Sequence, residues 1–318
     1  MDEVLKDLKD KSILITGGSG FFGKNLCSAL VNFNTIQNLN LKIYALARTP
    51  TIQEGVHFIQ QDVTQDFNFN ESIDLIIHAA TPVISEDSDF EKTMDIIING
   101  TQQCLRFAER INCKKFLLVS SGAVYGEQPE NLKNTPEDYV IKDSFYNFKS
   151  AYSTGKRISE LMALDWSKRT GLNLTIARCF AFSGNYLPLD QHLAIGNFVR
   201  DALLDKSINV KGDGSAIRSY MDADDLVSWL LTILTKGESG EVYNVGSDQE
   251  ITMKDLAHKV ASLVPETKVV IQNFASEKSR RNRYIPSIEK AKIKLNLKIN
   301  INLENSILKM IDFNKGQL

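Results

Sequence analysis

Cysteine and histidine are scarce in this chain of 318 residues, four of each, and neither type clusters. Cys27, Cys104, Cys113 and Cys179 show no Cys-x-x-Cys spacing and no neighbouring histidines. That argues against a metal site and for free buried thiols in a reducing compartment. Charge of one sign is lacking too: 37 basic against 39 acidic residues leave a formal −2. So small an imbalance gives no electrostatic case for nucleic acid or an anionic membrane as partner. No apolar run is long enough to span a bilayer. The opening Met1-Asp-Glu-Val-Leu-Lys-Asp-Leu-Lys-Asp10 has no apolar core of a signal peptide. Repeats and low-complexity segments are missing as well. A soluble, cytoplasmic, metal-free protein is the expectation.

The first half alternates short β-rich runs with amphipathic stretches. Strands are expected at Ser12–Thr16, Leu41–Ala47, Val56–Gln60, Leu75–Ala79, Phe116–Ser120 and Leu174–Arg178. Helices are expected over about Phe22–Val31, Phe90–Arg110 and Ala151–Arg169. Apolar strands buried on both faces and separated by helices indicate a parallel sheet with right-handed crossovers. The fold class is therefore α/β, a doubly wound, Rossmann-like sheet. After Arg178 the rhythm changes, with helices expected over Leu193–Leu204 and Asp222–Leu234. The division expected is a dinucleotide-binding domain over 1–180 and a smaller, discontinuous C-terminal lobe over 181–241 and 246–318. Val242–Val245 would rejoin the sheet. No Gly/Ser/Pro linker separates the two, so they should share a cleft.

Gly17-Gly-Ser-Gly20-Phe21-Phe22-Gly23 follows the first strand and opens a helix. Glycines there permit a tight turn and let backbone N–H groups approach phosphate at the helix N-terminus. The spacing is one residue longer at its first gap than the usual dinucleotide fingerprint. The second strand ends Ala45-Leu-Ala-Arg48, without the carboxylate that suits the ribose diol of NAD. An arginine there suits the 2′-phosphate of NADP, so NADP(H) is preferred and NAD(H) stays possible. Asp62, in Gln61-Asp62-Val63, follows the third strand on the cleft side, where it would accept from an adenine amino group.

Tyr152 and Lys156 lie one helical turn apart in Tyr152-Ser-Thr-Gly-Lys156. A phenol has an ordinary pKa of about 10. An ammonium ~4 Å away would favour its ionised form by at most about 4 kcal/mol at an effective dielectric near 20. Tyr152 would then pass a proton to or from an oxygen while a dinucleotide exchanges hydride with the adjoining carbon. One Tyr-x-x-x-Lys match is expected by chance among nine tyrosines. Ser120-Ser121-Gly-Ala-Val-Tyr125-Gly126 gives it meaning, because this loop leaves the sheet edge where doubly wound folds place ligands.

Together these segments resemble the extended short-chain dehydrogenase/reductase family, in its nucleotide-sugar epimerase, dehydratase and ketoreductase branch. The resemblance also covers Asp62-Val63, His78-Ala-Ala80, Asn99-Gly-Thr101, Arg218-Ser-Tyr-Met-Asp-Ala-Asp-Asp225 and Tyr243-Asn-Val-Gly246. It implies Tyr152 as acid/base, Lys156 as its activator and Ser121 as hydroxyl partner. Gly17, Gly20, Phe21, Phe22, Gly23, Arg48, Asp62, Val63, Ala79 and Ala80, with Tyr152 and Lys156, would bind the cofactor. Asn197, Arg218 and Arg280 would hold the nucleotide diphosphate of the substrate, with Arg281 and Arg283 as further candidates. A homodimer through the Tyr152 helix and its neighbour is implied as well.

The family's dehydratases carry an Asp-Glu pair after the catalytic Ser or Thr, where this chain has Gly122-Ala123. That departure argues against 4,6-dehydration and against decarboxylation. Ala181 replaces an asparagine that family members often carry, which leaves the nucleotide open. The leading expectation is NADPH-dependent reduction of a 4-keto sugar nucleotide. An NAD-dependent 4-epimerase would use the same three residues, and a non-catalytic binding protein of this fold is the remote alternative. His78 reads as structural on the cofactor side, and His192 as a loop residue.

Overall fold

The computed structural model describes residues 1–49, 51–82, 89–140, 151–191, 193–272 and 282–316. Six strands follow in chain order: β1 (Ser12–Thr16), β2 (Lys42–Ala47), β3 (Val56–Gln60), β4 (Leu75–His78), β5 (Lys115–Ser121) and β6 (Leu174–Cys179). With Val242–Val245 they form one sheet, ordered Val242–Val245, β6, β5, β4, β1, β2, β3. Every pairing in it is parallel. The late strand thus adds to the free edge of β6, as its apolar run required.

Alternation along the strands feeds two cores. Ile13 and Ile15 of β1 join Leu26 and Leu30 of the helix Phe21–Gln37 on one face. Leu14, Ile76, Phe116 and Leu118 face Leu105, Phe107 and Ala163 on the other. Each such side chain contributes roughly 1.5–3 kcal/mol on burial. The helix Phe21–Gln37 runs beyond the expected end at Val31, until Asn38 turns left-handed at φ 49°. Its last turns are mostly exposed, so no apolar period marked them.

Two further expectations need correction. The stretch 90–110 is not one α-helix: Phe90–Met94 and Gly100–Arg110 are α-helical, and Asp95–Asn99 between them is π-helical. Close packing explains part of this, since a Cβ on Gly100 would lie 2.9 Å from a Val63 methyl. The helix Ala223–Lys236, placed with the lobe by its position in the chain, packs on the sheet instead. Its Trp229, Leu230 and Ile233 are fully buried in the core that holds β1.

The lobe has its own core. Phe198 and Val199 of Ala194–Leu203, Leu256 and Val260 of Met253–Leu263, and Ile307 and Met310 of Leu303–Asn314 make it up. Two aspartates weld this lobe to the sheet. Asp222 accepts from Ser306 Oγ at 2.6 Å and Lys309 Nζ at 2.8 Å. Asp225 accepts from the Asn300 and Ile301 backbone N–H groups, both at 2.9 Å. Among the described residues no helix is long and apolar enough to cross a membrane, and no cluster of ligating side chains fits a metal ion. All four cysteines are buried and free.

Candidate functional site

Parallel register brings the carboxyl ends of the central strands together. Thr16 lies opposite His78, and Ser121 opposite Cys179. The loops that leave these ends carry the candidate residues.

The glycine turn fits a dinucleotide. Gly17 takes φ +75°, and a Cβ there would sit 2.9 Å from Ala80 Cα. Gly23 is tighter still, because its Cβ would fall 2.3 Å from the Gly17 carbonyl oxygen. Gly20 meets only that same oxygen, at 3.4 Å, so the space above it is open. Gly20 starts the helix Phe21–Gln37 with no side-chain cap. Its first N–H groups are therefore available to an anion. Phe21 and Phe22 pack edge to face at 5.6 Å and against Phe182, which anchors this helix start.

A buried polar chain fixes the opposite wall. Thr101 Oγ1 donates to the Ile97 carbonyl at 2.6 Å, which uses its only proton. Thr101 must then accept from His78 Nε2, 3.1 Å away. His78 Nδ1 is consequently the acceptor for Thr16 Oγ1 at 2.7 Å. Thr16 in turn accepts the Ala80 N–H at 3.2 Å. Burial, reinforced by the charge of Lys156, depresses the His78 pKa to about 3, so the ring stays neutral. The structural role read for His78 is what this chain of bonds performs, and it holds the Ala79–Ala80 peptide beside Gly17.

Tyr152 and Lys156 lie on the helix Ala151–Thr170. The Tyr152 phenol faces the hydroxyls of Ser121 and Thr81. Lys156 is buried and donates from Nζ to the Val119 carbonyl at 2.9 Å, with Nζ 5.9 Å from the Tyr152 ring centre. The expected acidification of the phenol by this ammonium is not what this geometry gives. Burial raises the Tyr152 pKa, and the hydrogen bonds with Ser121 and Thr81 only partly oppose it. The Lys156 pKa is lowered to about 8, again by burial, against the pull of Cys179 and Glu160. Lys156 Nζ is bonded to the Val119 carbonyl, and its charge is not among the causes that act on the phenol.

Behind the site stands a buried ion pair. Arg178 Nη2 meets Glu160 Oε2 at 2.7 Å, and Glu160 Oε1 accepts from Ser120 Oγ at 2.5 Å. Arg178 Nη1 donates to Tyr125 Oη at 2.8 Å, and Tyr125 donates to Asn244 Oδ1 at 2.8 Å. Burial opposes the guanidinium charge, but Glu160 outweighs it and holds Arg178 firmly protonated. This network ties β5, β6, the Tyr152 helix and the Val242–Val245 strand together.

The remaining candidates are placed unevenly. Arg48 is exposed just past β2, and its charge helps keep the Asp62 carboxyl below the usual range. Burial opposes that lowering, and hydrogen bonds from the Thr64 N–H and hydroxyl overcome it. Val63 is buried against Gly100. Arg218 donates to the Asn282 carbonyl at 2.9 Å and stands near Tyr220 and Tyr284. Asn197 accepts from Arg200 at 3.2 Å. Arg283, a further diphosphate candidate, is instead paired with Glu250 at 2.5 Å. That carboxylate and the Lys133 carbonyl claim its outer nitrogen. Arg280, Arg281 and His192 lie outside the described residues.

Sequence reasoning missed Thr81, Phe180 and Tyr284. A Cβ on Gly122 would lie 2.7 Å from the Tyr284 hydroxyl and 2.8 Å from the Phe180 ring edge. The Phe180 and Tyr284 rings stack at 4.7 Å. The glycine after Ser121 was the available signal, since it marks a place where something else needs the space.

Comparison with known proteins identifies the family. The family model described as the NAD dependent epimerase/dehydratase family matches residues 13–246. UDP-glucuronic acid decarboxylase 1 of Danio rerio is 28% identical over 326 residues, covering 99% of this chain and 75% of the relative. UDP-glucuronic acid decarboxylase 1 of Arabidopsis thaliana is 30% identical over 313 residues, covering 94% and 68%. Among solved structures, epimerase Mth375 of Methanothermobacter thermautotrophicus superposes with TM-score 0.84 at 21% identity, covering 98% of this chain and 94% of that one. UDP-glucuronic acid 4-epimerase of Bacillus cereus in complex with NAD gives 0.79 at 23%, covering 95% and 96%. RMD of Pseudomonas aeruginosa complexed with NADPH gives 0.78 at 23%, covering 97% and 100%. These relatives correct the functional expectation. Decarboxylation and dehydration cannot be struck out on Gly122-Ala123, because decarboxylases match nearly the whole chain without that acid pair being kept here. The restriction to ketoreductase or epimerase falls with it.

Proposed function

Because the chain belongs to the NAD dependent epimerase/dehydratase family, we propose that it converts a UDP-linked hexose or hexuronate through a C4 ketone and regenerates its cofactor within each turnover. The observation that carries this reading is the grouping of Tyr152, Ser121 and Lys156 beside the Gly17–Ala80 contact.

A bound oxidised nicotinamide supplies a hydride acceptor at C4. Tyr152 takes the C4 hydroxyl proton, and Ser121 holds that oxygen by a hydrogen bond. Lys156, bonded to Val119, would also hold the nicotinamide ribose. The first N–H groups of Phe21–Gln37 would hold the pyrophosphate, with Ala79 and Ala80 lining the cofactor. Arg48 favours a 2′-phosphate, so NADP(H) stands beside NAD(H). Arg218 and Asn197 are assigned to the substrate diphosphate, for which a guanidinium fork is suited.

The uronate reading follows from the named relatives: a C4 ketone makes the C6 carboxylate a β-keto acid, which loses CO2. A second reading, 4-epimerisation, is favoured by Gly122-Ala123, which offers no carboxylate beside Ser121. The test is incubation of the NAD-loaded protein with UDP-glucuronate and with UDP-glucose, followed by separation of the products. A pentose nucleotide with CO2 supports decarboxylation, and a C4 epimer supports the second reading. Tyr152→Phe should lower either turnover by at least about a thousandfold while cofactor affinity stays within about twofold. Undiminished turnover in that variant would refute the assignment.

A further inference from the structure

Tyr284 reaches the site from far along the chain. The short strand Arg283–Tyr284 runs parallel to Ile217–Arg218, and Tyr284 is in register with Arg218. Residues paired in this way present their side chains on one face of a sheet. The far end of Tyr284 meets the loop after β5: a Cβ on Gly122 would lie 2.7 Å from its hydroxyl and 2.8 Å from the Phe180 ring edge. Gly122 directly follows Ser121. Tyr284 thus bridges the arginine assigned to the substrate diphosphate and the serine assigned to the reacting oxygen.

Neighbours on both sides fix it there. Its ring stacks on Phe180 with centroids 4.7 Å apart. The Ile285 N–H donates to Gln128 Oε1 at 2.9 Å, and the Ile285 carbonyl accepts from the Thr135 N–H at 2.9 Å. Pro286 and Phe180 crowd Gly246, where a Cβ would lie 3.0 Å from the proline ring and 3.1 Å from Phe180 Cβ. Tyr284 and Phe180 nevertheless keep part of their surface exposed, so the pair lines a cleft.

A pyranose nucleotide carries its diphosphate on C1 and the oxygen to be oxidised on C4, at opposite ends of the ring. Held at Arg218 and at Ser121, that ring lies along Tyr284. Elimination of water from C5 and C6 needs proton-transfer groups on that side of the ring, and the acid pair of the dehydratases begins at position 122. Here Gly122 leaves the place to the Tyr284 hydroxyl. A phenol with the ordinary pKa of about 10 is protonated near neutrality and can donate.

We propose that Tyr284 is a specificity-determining residue whose hydroxyl donates a hydrogen bond to the substituent on C6 of the bound sugar. The inference deepens the proposed function and rests on it. A C6 carboxylate, being charged, gains more from this donor than a C6 hydroxyl does, and a C6 methyl gains nothing. Gly122 is required in turn, because a side chain there would displace the phenol.

The experiment is calorimetry on protein loaded with NADH, which takes no hydride from an alcohol, so that ligands bind without turnover. The ligands are UDP, UDP-6-deoxyglucose, UDP-glucose and UDP-glucuronate. Tyr284→Phe keeps the ring and its stack on Phe180. It should weaken UDP-glucose about fivefold and UDP-glucuronate at least about tenfold, while UDP and UDP-6-deoxyglucose change by less than about twofold. Where Tyr284→Phe impairs folding, a fluorotyrosine at position 284 makes a stronger donor of nearly the same shape and should raise the preference for UDP-glucose over its 6-deoxy analogue. Equal losses for UDP-glucose and the 6-deoxy analogue, or no loss for either, overturn the inference alone, provided wild type binds UDP. A wild-type protein that binds no UDP refutes the proposed function, and this inference falls with it.

Discussion

His78 is a titratable group walled in by two threonines, and its neutrality has a measurable consequence. Its folded pKa is depressed to about 3, below the ordinary value of about 6.5 in an unfolded chain. Above pH 6.5 neither state binds the proton, so this group contributes no pH dependence. Between 6.5 and 3 only the unfolded state binds it, and stability falls by up to about 1.4 kcal/mol per pH unit as the solution is acidified. His78→Asn should remove that slope in urea titrations run between pH 6.5 and 4. It should also cost about 1–3 kcal/mol at pH 7, because Thr16 and Thr101 lose a buried partner. An unchanged slope would mean that the ring takes up its proton in the folded state. At this scale the sequence named Tyr152, Lys156, Ser121 and His78, because short motifs carried them. It was silent on Tyr284, whose surroundings in the chain have no period and no motif.

The glycine turn is where local chemistry and packing demand the same residue. Gly23 lies in the first turn of a helix, yet its Cβ would enter the Gly17 carbonyl and the Gly18 backbone. Backbone cannot rotate away as a side chain can. Gly23→Ala should cost about 1–3 kcal/mol in thermal or chemical denaturation. Cofactor affinity, measured by calorimetry, should fall at least about tenfold, since the helix N-terminus must move away from the phosphate site. Retained affinity would show that the pyrophosphate is held elsewhere. The π-helical turn Asp95–Asn99 was not legible, because its residues fit a continuous α-helical period. Its cause lies in neighbours distant in sequence: Ile97 packs 3.3 Å from where a Gly155 side chain would begin, and Asn99 donates to the Thr64 carbonyl at 3.1 Å.

Across the whole molecule, the sheet needs residues that the chain supplies late. Val242–Val245 covers the edge of β6, and Trp229 with its neighbours fills the face of β1. The Trp229 indole also donates to the Lys298 carbonyl at 3.0 Å, binding the C-terminal segment to that face. A fragment ending at residue 180 should therefore lack a cooperative thermal transition and associate through its open face and edge. Circular dichroism and size-exclusion chromatography check this, and a sharp monomeric melt would disprove it. The amino-acid sequence by itself determined the parallel sheet, the cofactor turn and the Tyr152–Lys156 spacing, because period, strand patterning and short motifs are local properties. Tertiary structure alone decided that Lys156 bonds to Val119, that Arg283 is spent on Glu250, and that Tyr284 stacks on Phe180 over Gly122. Those outcomes depend on which strand ends meet and which buried groups compete for a partner, and neither is encoded within any one segment.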